Sequence, residues 1–437
     1  MRQSNTGSEV TQSKLAGDGV DRRGFLKCMA WAGTGLVWTF AAGVPVSRLI
    51  GTGHPQTRSA AGFSFVQISD SHIGFDKGAN PDVTATLQSA IDKIKALPVQ
   101  PDLILHTGDL SHLSKPAQFD TLDQVLKGMG HKQIFYVPGE HDVAGDNGKQ
   151  FLQRYGKGTA GDGWYSFNHK GVHFVGLVNV LNLQAGGLGR LGQEQLHWLR
   201  HDLDGQSSST PIVVFAHIPL WAVYLQWGWG TQDSAQALSF LKRFGSVTVL
   251  NGHIHQIMQK VEGNVTFHTA MSTGFPQPLP GTAAGPGPLK VPSGALRHVL
   301  GITEVSYLSK ANPLALVDAP LEGSHPEQAS TILRNAAAAS RAHTSGTTPA
   351  NRTGGAATSV AINGFSFSPQ QLSVKPGATV EWINNDDTPH TVTSDDNRFT
   401  SPLMDSHQVF RHTFAAAGEF PYHCKLHATM TGTVVVA

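Results

Sequence analysis

The sequence has very little sulfur and little charge. Only 2 of its 437 residues are cysteines, and charged residues make up 14% with a formal net charge of +1. A chain this close to neutral has no electrostatic basis for binding nucleic acid or an acidic membrane surface, so neither partner is predicted. The length predicts two or three domains, each with its own core. Histidine, in contrast, occurs 22 times, and it is the most common metal ligand in proteins.

Residues 1–60 indicate an export signal and a spacer. Arg22 and Arg23 precede a short, glycine-containing apolar run over 28–46. A charged segment before a short apolar stretch is typical of a secretory signal, and the paired arginines resemble the twin-arginine type. The alternative is an uncleaved anchor, for which the run is short. We therefore expect an exported protein, periplasmic or otherwise extracytoplasmic, that is tied to a membrane only if the leader remains uncleaved.

Three further regions differ in pattern. Residues 61–321 alternate short apolar runs with amphipathic helical segments, which predicts a layered α/β domain. Residues 322–358 are rich in Ala, Ser, Thr and Gly, which predicts a flexible linker with one short helix over 329–341. Residues 359–437 alternate with a period of two and contain no helical pattern, which predicts a small all-β sandwich.

Metal-binding residue types follow five predicted strands of the α/β domain. Because ligands gather beyond the carboxyl ends of strands in open α/β sheets, these residues should converge on one crevice. They are too many for one tetrahedral ion, and they suit two ions of Fe, Mn or Zn that clamp a phosphoryl group and activate water. The alternative is that each is a strand cap or a surface group. The candidate ligands are Asp70, His72, Asp109, Glu140, His217, His253 and His255.

The motifs DSH, GD, GEHD, AHIP and GHIH, in this order between residues 63 and 307, resemble those of the calcineurin-like metallophosphoesterases. The resemblance implies a phosphate-ester substrate and attack by a metal-bound hydroxide. It also implies a first metal site, a bridging Asp109 and a second metal site. The first site would comprise Asp70, His72, Asp109 and His255, and the second would comprise His217, His253 and residue 140.

The same resemblance makes His141 the catalytic acid and Asp142 the residue that orients it. The family usually has Asn at position 140, whereas this chain has Glu140. A carboxylate brings a negative charge and no hydrogen-bond donor, so we expect diesters to be favoured over dianionic monoesters.

Three nearby features have less specific interpretations. His112 is interpreted as a solvated loop residue, with a ligand role as the alternative. The aromatics at 221, 224, 227 and 229 are interpreted as loop packing, with a substrate wall as the alternative. The Gly/Pro-rich segment 272–294 is typical of a lid or rim, but no partner for it is evident in the sequence.

A second constellation lies near the end of the chain. The run FPYHCKLHATM holds Cys424, His427 and Met430, and His390 follows an earlier strand. Two His and one Cys with a weak axial Met form a type-1 copper site. The alternatives are a zinc site or a buried inert thiol beside surface histidines. His423 points away from Cys424 if the run is extended, so it is not predicted as a ligand.

Residues 360–437 resemble the plastocyanin and amicyanin group of cupredoxins. The resemblance implies one copper ion held by His390, Cys424, His427 and Met430, and single-electron exchange with a redox partner protein. We therefore expect an exported phosphoester hydrolase, a phosphodiesterase or phosphomonoesterase, that carries a copper electron-transfer domain. The alternative is a copper electron-transfer protein with a degenerate phosphoesterase domain, which Glu140 favours. A third hypothesis is that the copper sets the redox state of an iron centre.

Overall fold

The computed structural model describes residues 35–41, 44–50, 62–130, 133–181, 183, 187–308, 311–323, 326–344, 358–396, 398–427 and 430–437. The chain forms two units, Met1–Ser59 and Ala60–Ala437. In the first unit, strands β1 (Gly35–Ala41) and β2 (Val44–Ile50) pair antiparallel. The predicted export motif at Arg22 and Arg23 lies outside the described residues. No helix in the described ranges is long and apolar enough to cross a membrane.

The α/β domain contains two sheets, and their strands follow one another along the chain. The strands are β3 (Gly62–Ile68), β4 (Leu103–His106), β5 (Gln133–Tyr136), β6 (Tyr165–His169), β7 (Val172–Gly176), β8 (Ile212–Ala216), β9 (Val247–Asn251), β10 (Met258–Glu262), β11 (Val265–Thr269), β12 (Gly301–Leu308) and β13 (Ala311–Pro320). One sheet has the order β13-β12-β3-β4-β5, and the other has the order β10-β11-β9-β8-β7-β6. Strands β3, β4 and β5 are parallel to one another, as are β7, β8, β9 and β11.

The first seven helices of this domain lie between its strands, and the eighth follows the last strand. They are α1 (Val83–Lys95), α2 (Pro116–Leu126), α3 (Glu140–Val143), α4 (Lys149–Tyr155), α5 (Gln193–Asp204), α6 (Ser234–Leu241), α7 (Leu296–Val299) and α8 (Glu327–Thr344). Short 3-10 turns occur at Lys127–Met129, Leu225–Trp227 and Ser293–Ala295.

Three apolar layers hold the domain together. A central layer between the two sheets includes Phe65 and Leu105 from one sheet and Phe215 from the other. Helices α1 and α2 cover the outer face of the five-stranded sheet, and α5 and α6 cover that of the six-stranded sheet. Helix α1 buries Leu87 and Ile91, which lie one turn apart on one face. The predicted layered α/β class is confirmed as a helix–sheet–sheet–helix sandwich.

The segment predicted as a linker contains more structure than the pattern suggested. Helix α8 has 18 residues, and its Ala329, Leu333 and Ala336 are buried against Leu289 and Val291. Their spacing of four and three residues places them on one helical face, so the helix packs on the α/β domain. Residues 345–357 lie outside the described residues.

In the described residues of the C-terminal domain, all assigned secondary-structure elements are strands. They are β14 (Ser359–Ile362), β15 (Phe367–Ser368), β16 (Gln371–Val374), β17 (Ala378–Asn384), β18 (Thr393–Ser394), β19 (Val409–Phe414), β20 (Gly418–His423) and β21 (Thr431–Val436). They form two four-stranded sheets with the orders β15-β14-β17-β19 and β16-β21-β20-β18. The alternating burial of β17, β16 and β21 fills one core around Trp382. The predicted all-β sandwich is confirmed.

Candidate active site and metal centres

The predicted ligands of the α/β domain lie directly after five strands. Asp70 and His72 follow β3, Asp109 follows β4, and Glu140 begins α3 after β5. The six-stranded sheet supplies His217 after β8 and the pair His253 and His255 after β9. All seven are nearly inaccessible to solvent. The structure thus brings them together at one edge shared by the two sheets.

The backbone at this edge is unusually strained. Five ligand candidates adopt left-handed conformations, with φ of 54° at Asp70, 43° at His72, 49° at Asp109, 71° at His253 and 54° at His255. Non-glycine residues rarely adopt positive φ, and such strain clusters at functional sites. The strain turns each side chain off its strand toward the common centre.

The glycine before Asp109 permits the close approach of the loops. Gly108 has a φ of 100°, and a Cβ there would collide with the imidazole of His217. Only glycine therefore lets the turn after β4 lie against the turn after β8.

The first group of ligands is compact. The ligand atoms of Asp70, His72, Asp109 and His255 all lie within 4.8 Å of one another. The Nε2 atom of His72 lies 3.4 Å from Oδ2 of Asp109, and Nε2 of His255 lies 3.4 Å from Oδ1 of Asp70. On His255 the other ring nitrogen, Nδ1, is bound to the carbonyl oxygen of Phe275 at 2.5 Å. Because Nδ1 donates to that carbonyl, the Nε2 lone pair is directed at the centre.

The second group lies beside the first. Glu140, His217 and His253 also have ligand atoms within 4.8 Å of one another. Nε2 of His217 lies 2.9 Å from Oε2 of Glu140, and Nδ1 of His253 lies 2.9 Å from Oε1. Nδ1 of His217 donates to the carbonyl of Thr107 at 2.7 Å, which again aims Nε2 inward.

Asp109 connects the two groups. Its Oδ2 lies 3.4 Å from Nε2 of His72 and 3.4 Å from Nε2 of His217. Elsewhere in the centre, Oδ2 of Asp70 and Nε2 of His253 are buried without a hydrogen-bond partner among the described residues. Buried polar atoms are normally satisfied, so unpaired oxygens and nitrogens that converge here fit cation binding. The set of carboxylates and imidazoles suits two divalent ions, as the sequence predicts.

Glu140 is ionised in this setting. Burial opposes ionisation, but the imidazoles of His253 and His217 hold the pKa of the Glu140 carboxyl well below its usual value. The second group therefore contributes a full negative charge where an asparagine would contribute none.

His141 also reaches the centre. Its Nδ1 is bound to the carbonyl oxygen of His112 at 2.8 Å, and its backbone N–H donates to Oδ1 of Asp109 at 3.0 Å. Burial disfavours the imidazolium, but the carboxylates of Asp109 and Glu140 raise the pKa of His141 above its usual value.

The role of Asp142 in orienting His141 stays a prediction, and the hydrogen bonds of Asp142 that the structure describes are to the backbone and to Ser111. Oδ2 of Asp142 accepts from the backbone N–H groups of Gly139 at 2.9 Å and Leu110 at 3.0 Å. Its Oδ1 accepts from the N–H and the hydroxyl of Ser111 at 2.8 and 2.9 Å. Asp142 thus fastens the loop after β4 to the start of α3, and its charge contributes to the raised pKa of His141 after the larger effects of Asp109 and Glu140.

The interpretation of His112 as a solvated loop residue is wrong. His112 is 2% exposed, its ring stacks on His141 with centroids 4.9 Å apart, and its Nδ1 lies 3.3 Å from Nδ1 of His72. The motif GDLSH gave a signal, since a His three residues after a ligand carboxylate is within reach of the same centre. Of the aromatics in the following loop, Trp227 lines the cavity above the centre, whereas Trp221 is part of the core behind it.

The C-terminal candidates converge as well. Nδ1 of His390 and Nδ1 of His427 lie 2.9 Å apart, and Sγ of Cys424 lies 3.8 and 3.5 Å from them. Met430 belongs to the same buried core as Cys424, and its carbonyl accepts from the Cys424 N–H at 3.0 Å. His423 instead points to Asp395, with Nδ1 2.6 Å from the carboxylate.

The surroundings of this cluster favour a soft metal. Burial disfavours a thiolate, but the imidazoles of His427 and His390 hold the pKa of the Cys424 thiol well below its usual value. Nε2 of His390 lies 2.9 Å from the carboxylate of Asp386, which leaves Nδ1 for the cluster. Sequence reasoning missed Asp386, although its position four residues before His390 was the available signal. Thiolate and imidazole ligands with a nearby thioether fit copper.

Comparisons with known proteins identify the two domains. Residues 63–257 match the calcineurin-like phosphoesterase family, and residues 336–436 match the cupredoxin-like domain family. The chain therefore contains a calcineurin-like phosphoesterase domain and a cupredoxin-like domain, which confirms both predicted resemblances.

Individual relatives match one domain each. A probable cyclic nucleotide phosphodiesterase of Synechococcus sp. is 28% identical over 54% of this chain and 90% of its own length. Amicyanin of Paracoccus denitrificans is 37% identical over 18% of this chain, which spans 63% of the amicyanin's length. A solved structure of an amicyanin mutant in its Cu(I) form shares 34% identity, covers 20% of this chain and 87% of that one, and has a TM-score of 0.18.

Proposed function

We propose that the protein is a metal-dependent phosphoester hydrolase that acts on phosphodiesters and carries a copper electron-transfer domain. The observation that carries the proposal is the pair of ligand groups joined by Asp109, whose Oδ2 lies 3.4 Å from one histidine of each group. A carboxylate shared in this way supports a dinuclear centre. The likeness to a cyclic nucleotide phosphodiesterase supports the same reaction class.

The chemistry divides between the ions and the protein. Two divalent ions held by the groups around Asp70 and Glu140 would supply Lewis acidity and neutralise the charge on the phosphoryl group. His141 supplies the proton for the leaving oxygen. The carboxylates of Asp109 and Glu140 outweigh burial and raise its pKa, which favours the protonated form, and the bond from Nδ1 to the His112 carbonyl leaves Nε2 for the substrate. Asp109 accepts the backbone N–H of His141 and so keeps the acid beside the ligand groups.

The preference for diesters is supported by the charge at position 140. Glu140 adds a carboxylate to the second ligand group, and a dianionic monoester is repelled more by that charge than a monoanionic diester is. The carboxylate also strengthens binding of the second ion relative to an amide oxygen. The repulsion favours diesters over monoesters, and the tighter binding favours retention of the second ion.

The copper domain is proposed to exchange single electrons with a redox partner. The low pKa of Cys424 and the inward Nδ1 atoms of His390 and His427 support one copper ion there. We further propose that the protein is exported, which rests on Arg22, Arg23 and the apolar run that follows them.

Metal analysis combined with a phosphoester panel tests the hydrolase. The purified full chain should contain two ions of Fe, Mn or Zn and one copper ion, and it should hydrolyse bis(p-nitrophenyl) phosphate. Asp109→Asn should abolish hydrolysis and lower the content of the first two ions while copper is retained. Asp395→Asn, a surface carboxylate paired with His423, is the matched control. Copper alone with no hydrolysis of any ester would refute the hydrolase and support an electron-transfer protein with a degenerate phosphoesterase domain.

Export is tested by cell fractionation. The wild-type chain should be found outside the cytoplasm, and a variant with Arg22→Lys and Arg23→Lys should be retained inside. Equal distribution of the two proteins would contradict the proposal.

A further inference from the structure

The cavity above the hydrolytic centre has walls from both domains. Glu140, His141 and His253 line one side, and Leu426 and His427 line another. The cavity volume is about 30 Å³, so any small ion held at the centre lies close to both sides. His427 is 8% exposed, and it lines this cavity together with residues of the phosphoesterase domain.

A glycine-rich loop forms one contact between the domains. Pro286, Gly287 and Pro288 line the cavity, and a Cβ at Gly287 would lie 2.5 Å from the ring of Phe365 and 3.0 Å from Oγ1 of Thr388. Real Cβ atoms essentially never lie within 3.0 Å of another heavy atom of this kind, so the backbone at Gly287 is packed too tightly against Phe365 to admit a side chain.

Phe365 links this loop to the copper ligands. Its ring packs edge-on against His427 and His390, with centroids 5.0 and 5.4 Å away. We call the surface formed by residues 285–288 the docking loop. Because Phe365 contacts both imidazoles, a shift of its ring against the docking loop would change the packing of His390 and His427.

The docking loop is anchored from behind. Leu289 and Val291, which follow it, pack in one cluster with Leu333 of α8. Ala144, which lies directly after α3, packs against the core of the cupredoxin-like domain. The cupredoxin-like domain therefore contacts both the docking loop and the segment that follows Glu140.

We propose that the docking loop seats the copper end of the cupredoxin-like domain over the hydrolytic cavity, so that an oxyanion bound in the cavity and the oxidation state of the copper site influence one another. This inference rests on the proposed function. The oxidised copper site carries one more positive charge than the reduced site, so an oxyanion beside His427 binds more tightly to the oxidised form. Linkage requires the reverse effect to be equal, so the oxyanion lowers the reduction potential of copper.

The expected coupling is moderate. We expect inorganic phosphate to bind about tenfold more tightly to the oxidised form, within the range of measured couplings between sites. A tenfold difference corresponds to a fall of about 59 mV in a one-electron potential.

The experiment uses the full chain with all metal sites loaded and inorganic phosphate as the probe. The copper potential is measured by spectroscopic titration with and without phosphate, and phosphate binding is measured by calorimetry in both oxidation states. Gly287→Val should force the copper end off its seat and remove the phosphate-dependent shift. Gly294→Val lies in the same segment with nothing within 4 Å of its added Cβ, and it should retain the shift.

The outcomes separate the two proposals. Phosphate binding without any shift in the wild-type potential would overturn the coupling and leave the hydrolase intact. An equal shift in wild type and Gly287→Val would overturn the role of the docking loop.

If phosphate does not bind, the proposed hydrolase function is wrong. The contact between the docking loop and the copper end is then tested separately by hydrogen exchange of the segment 424–427. Faster exchange in Gly287→Val than in Gly294→Val would support the seat, and equal exchange would overturn it.

Discussion

Replacing Glu140 tests the most unusual feature of the hydrolytic centre. Glu140 places its two carboxylate oxygens 2.9 Å from His217 and 2.9 Å from His253, and its pKa is well below the usual value. Glu140→Gln keeps the length of the side chain and removes the charge. Glu140→Asn introduces the residue that calcineurin-like metallophosphoesterases usually have at this position. Both changes should shift selectivity from diesters toward monoesters.

The size of the shift follows from Coulomb's law. Two unit charges about 4 Å apart interact with about 4 kcal/mol at an effective dielectric constant of about 20. The second charge of a monoester is spread over three oxygens and is partly neutralised by the cations, so we take about half of that value. A difference of about 2 kcal/mol in transition-state binding corresponds to about 30-fold in relative kcat/KM.

The assay compares kcat/KM for p-nitrophenyl phosphate and bis(p-nitrophenyl) phosphate. The monoester-to-diester ratio should rise about 30-fold in Glu140→Gln. Glu262→Gln, a change at an exposed carboxylate of β10, should leave the ratio unaltered. Metal content is measured in each sample, because loss of an ion would lower both activities together. A wild-type enzyme that strongly prefers the monoester, with a ratio that Glu140→Asn does not change, would refute the reasoning.

Three further predictions concern the acid, the helix and the copper cluster. His141→Asn should lower kcat by about 10²-fold or more while the metal content is retained. The fall in kcat should be larger for a substrate with an alkyl leaving group than for one with a nitrophenyl leaving group, since the alkyl oxygen needs the proton more. An equal fall in kcat for both substrates would argue against His141 as the general acid. Leu333→Ala should lower the free energy of unfolding in urea by about 2–3 kcal/mol, because Leu333 is buried in the cluster with Leu289. Arg334 is exposed, so Arg334→Ala should change it little. Equal changes in the two variants would mean that α8 is not packed on the domain. Burial opposes protonation of His390, but Asp386 and Cys424 raise its pKa to about 9, whereas burial is outweighed at Cys424 by the two imidazoles, which hold its pKa well below the usual value. Between about pH 6.5 and about 9 the two groups therefore have opposite effects on stability in the metal-free chain. In Cys424→Ser, which lacks the thiol, stability should fall as pH rises through this range, and adding Asp386→Asn should reduce the fall; a pH-independent unfolding midpoint in Cys424→Ser would contradict this account.

The arrangement of both clusters was predictable because simple rules of strand geometry apply. Asp70, Asp109 and His217 each follow an apolar run of four to seven residues, and parallel strands deliver such residues to one edge. Cys424 and His427 are close in sequence, so only His390 had to be brought in by the fold. Local pattern and topology agreed at these positions.

The remaining features depend on contacts that the pattern does not encode. His112 is buried because its ring stacks on His141, and a loop sequence gives no measure of such stacking. Asp142 binds backbone N–H groups, which have no signature in the side chains. Helix α8 was underestimated since small alanines, rather than large apolar residues, form its buried face. The seat of Phe365 on the docking loop joins segments about 80 residues apart.

The left-handed backbone of five ligand residues has a consequence for the stability of this domain. Each such conformation costs about 1–3 kcal/mol of folding free energy. The total cost for the five residues is comparable to the free energy of unfolding of a typical domain, about 5–15 kcal/mol. Burial in the three apolar layers must therefore supply enough stabilising free energy to offset this cost. Glycine at any of the five positions would relieve the backbone strain and remove a ligand side chain at the same time. The fold therefore gives up stability to hold the ligand groups in place.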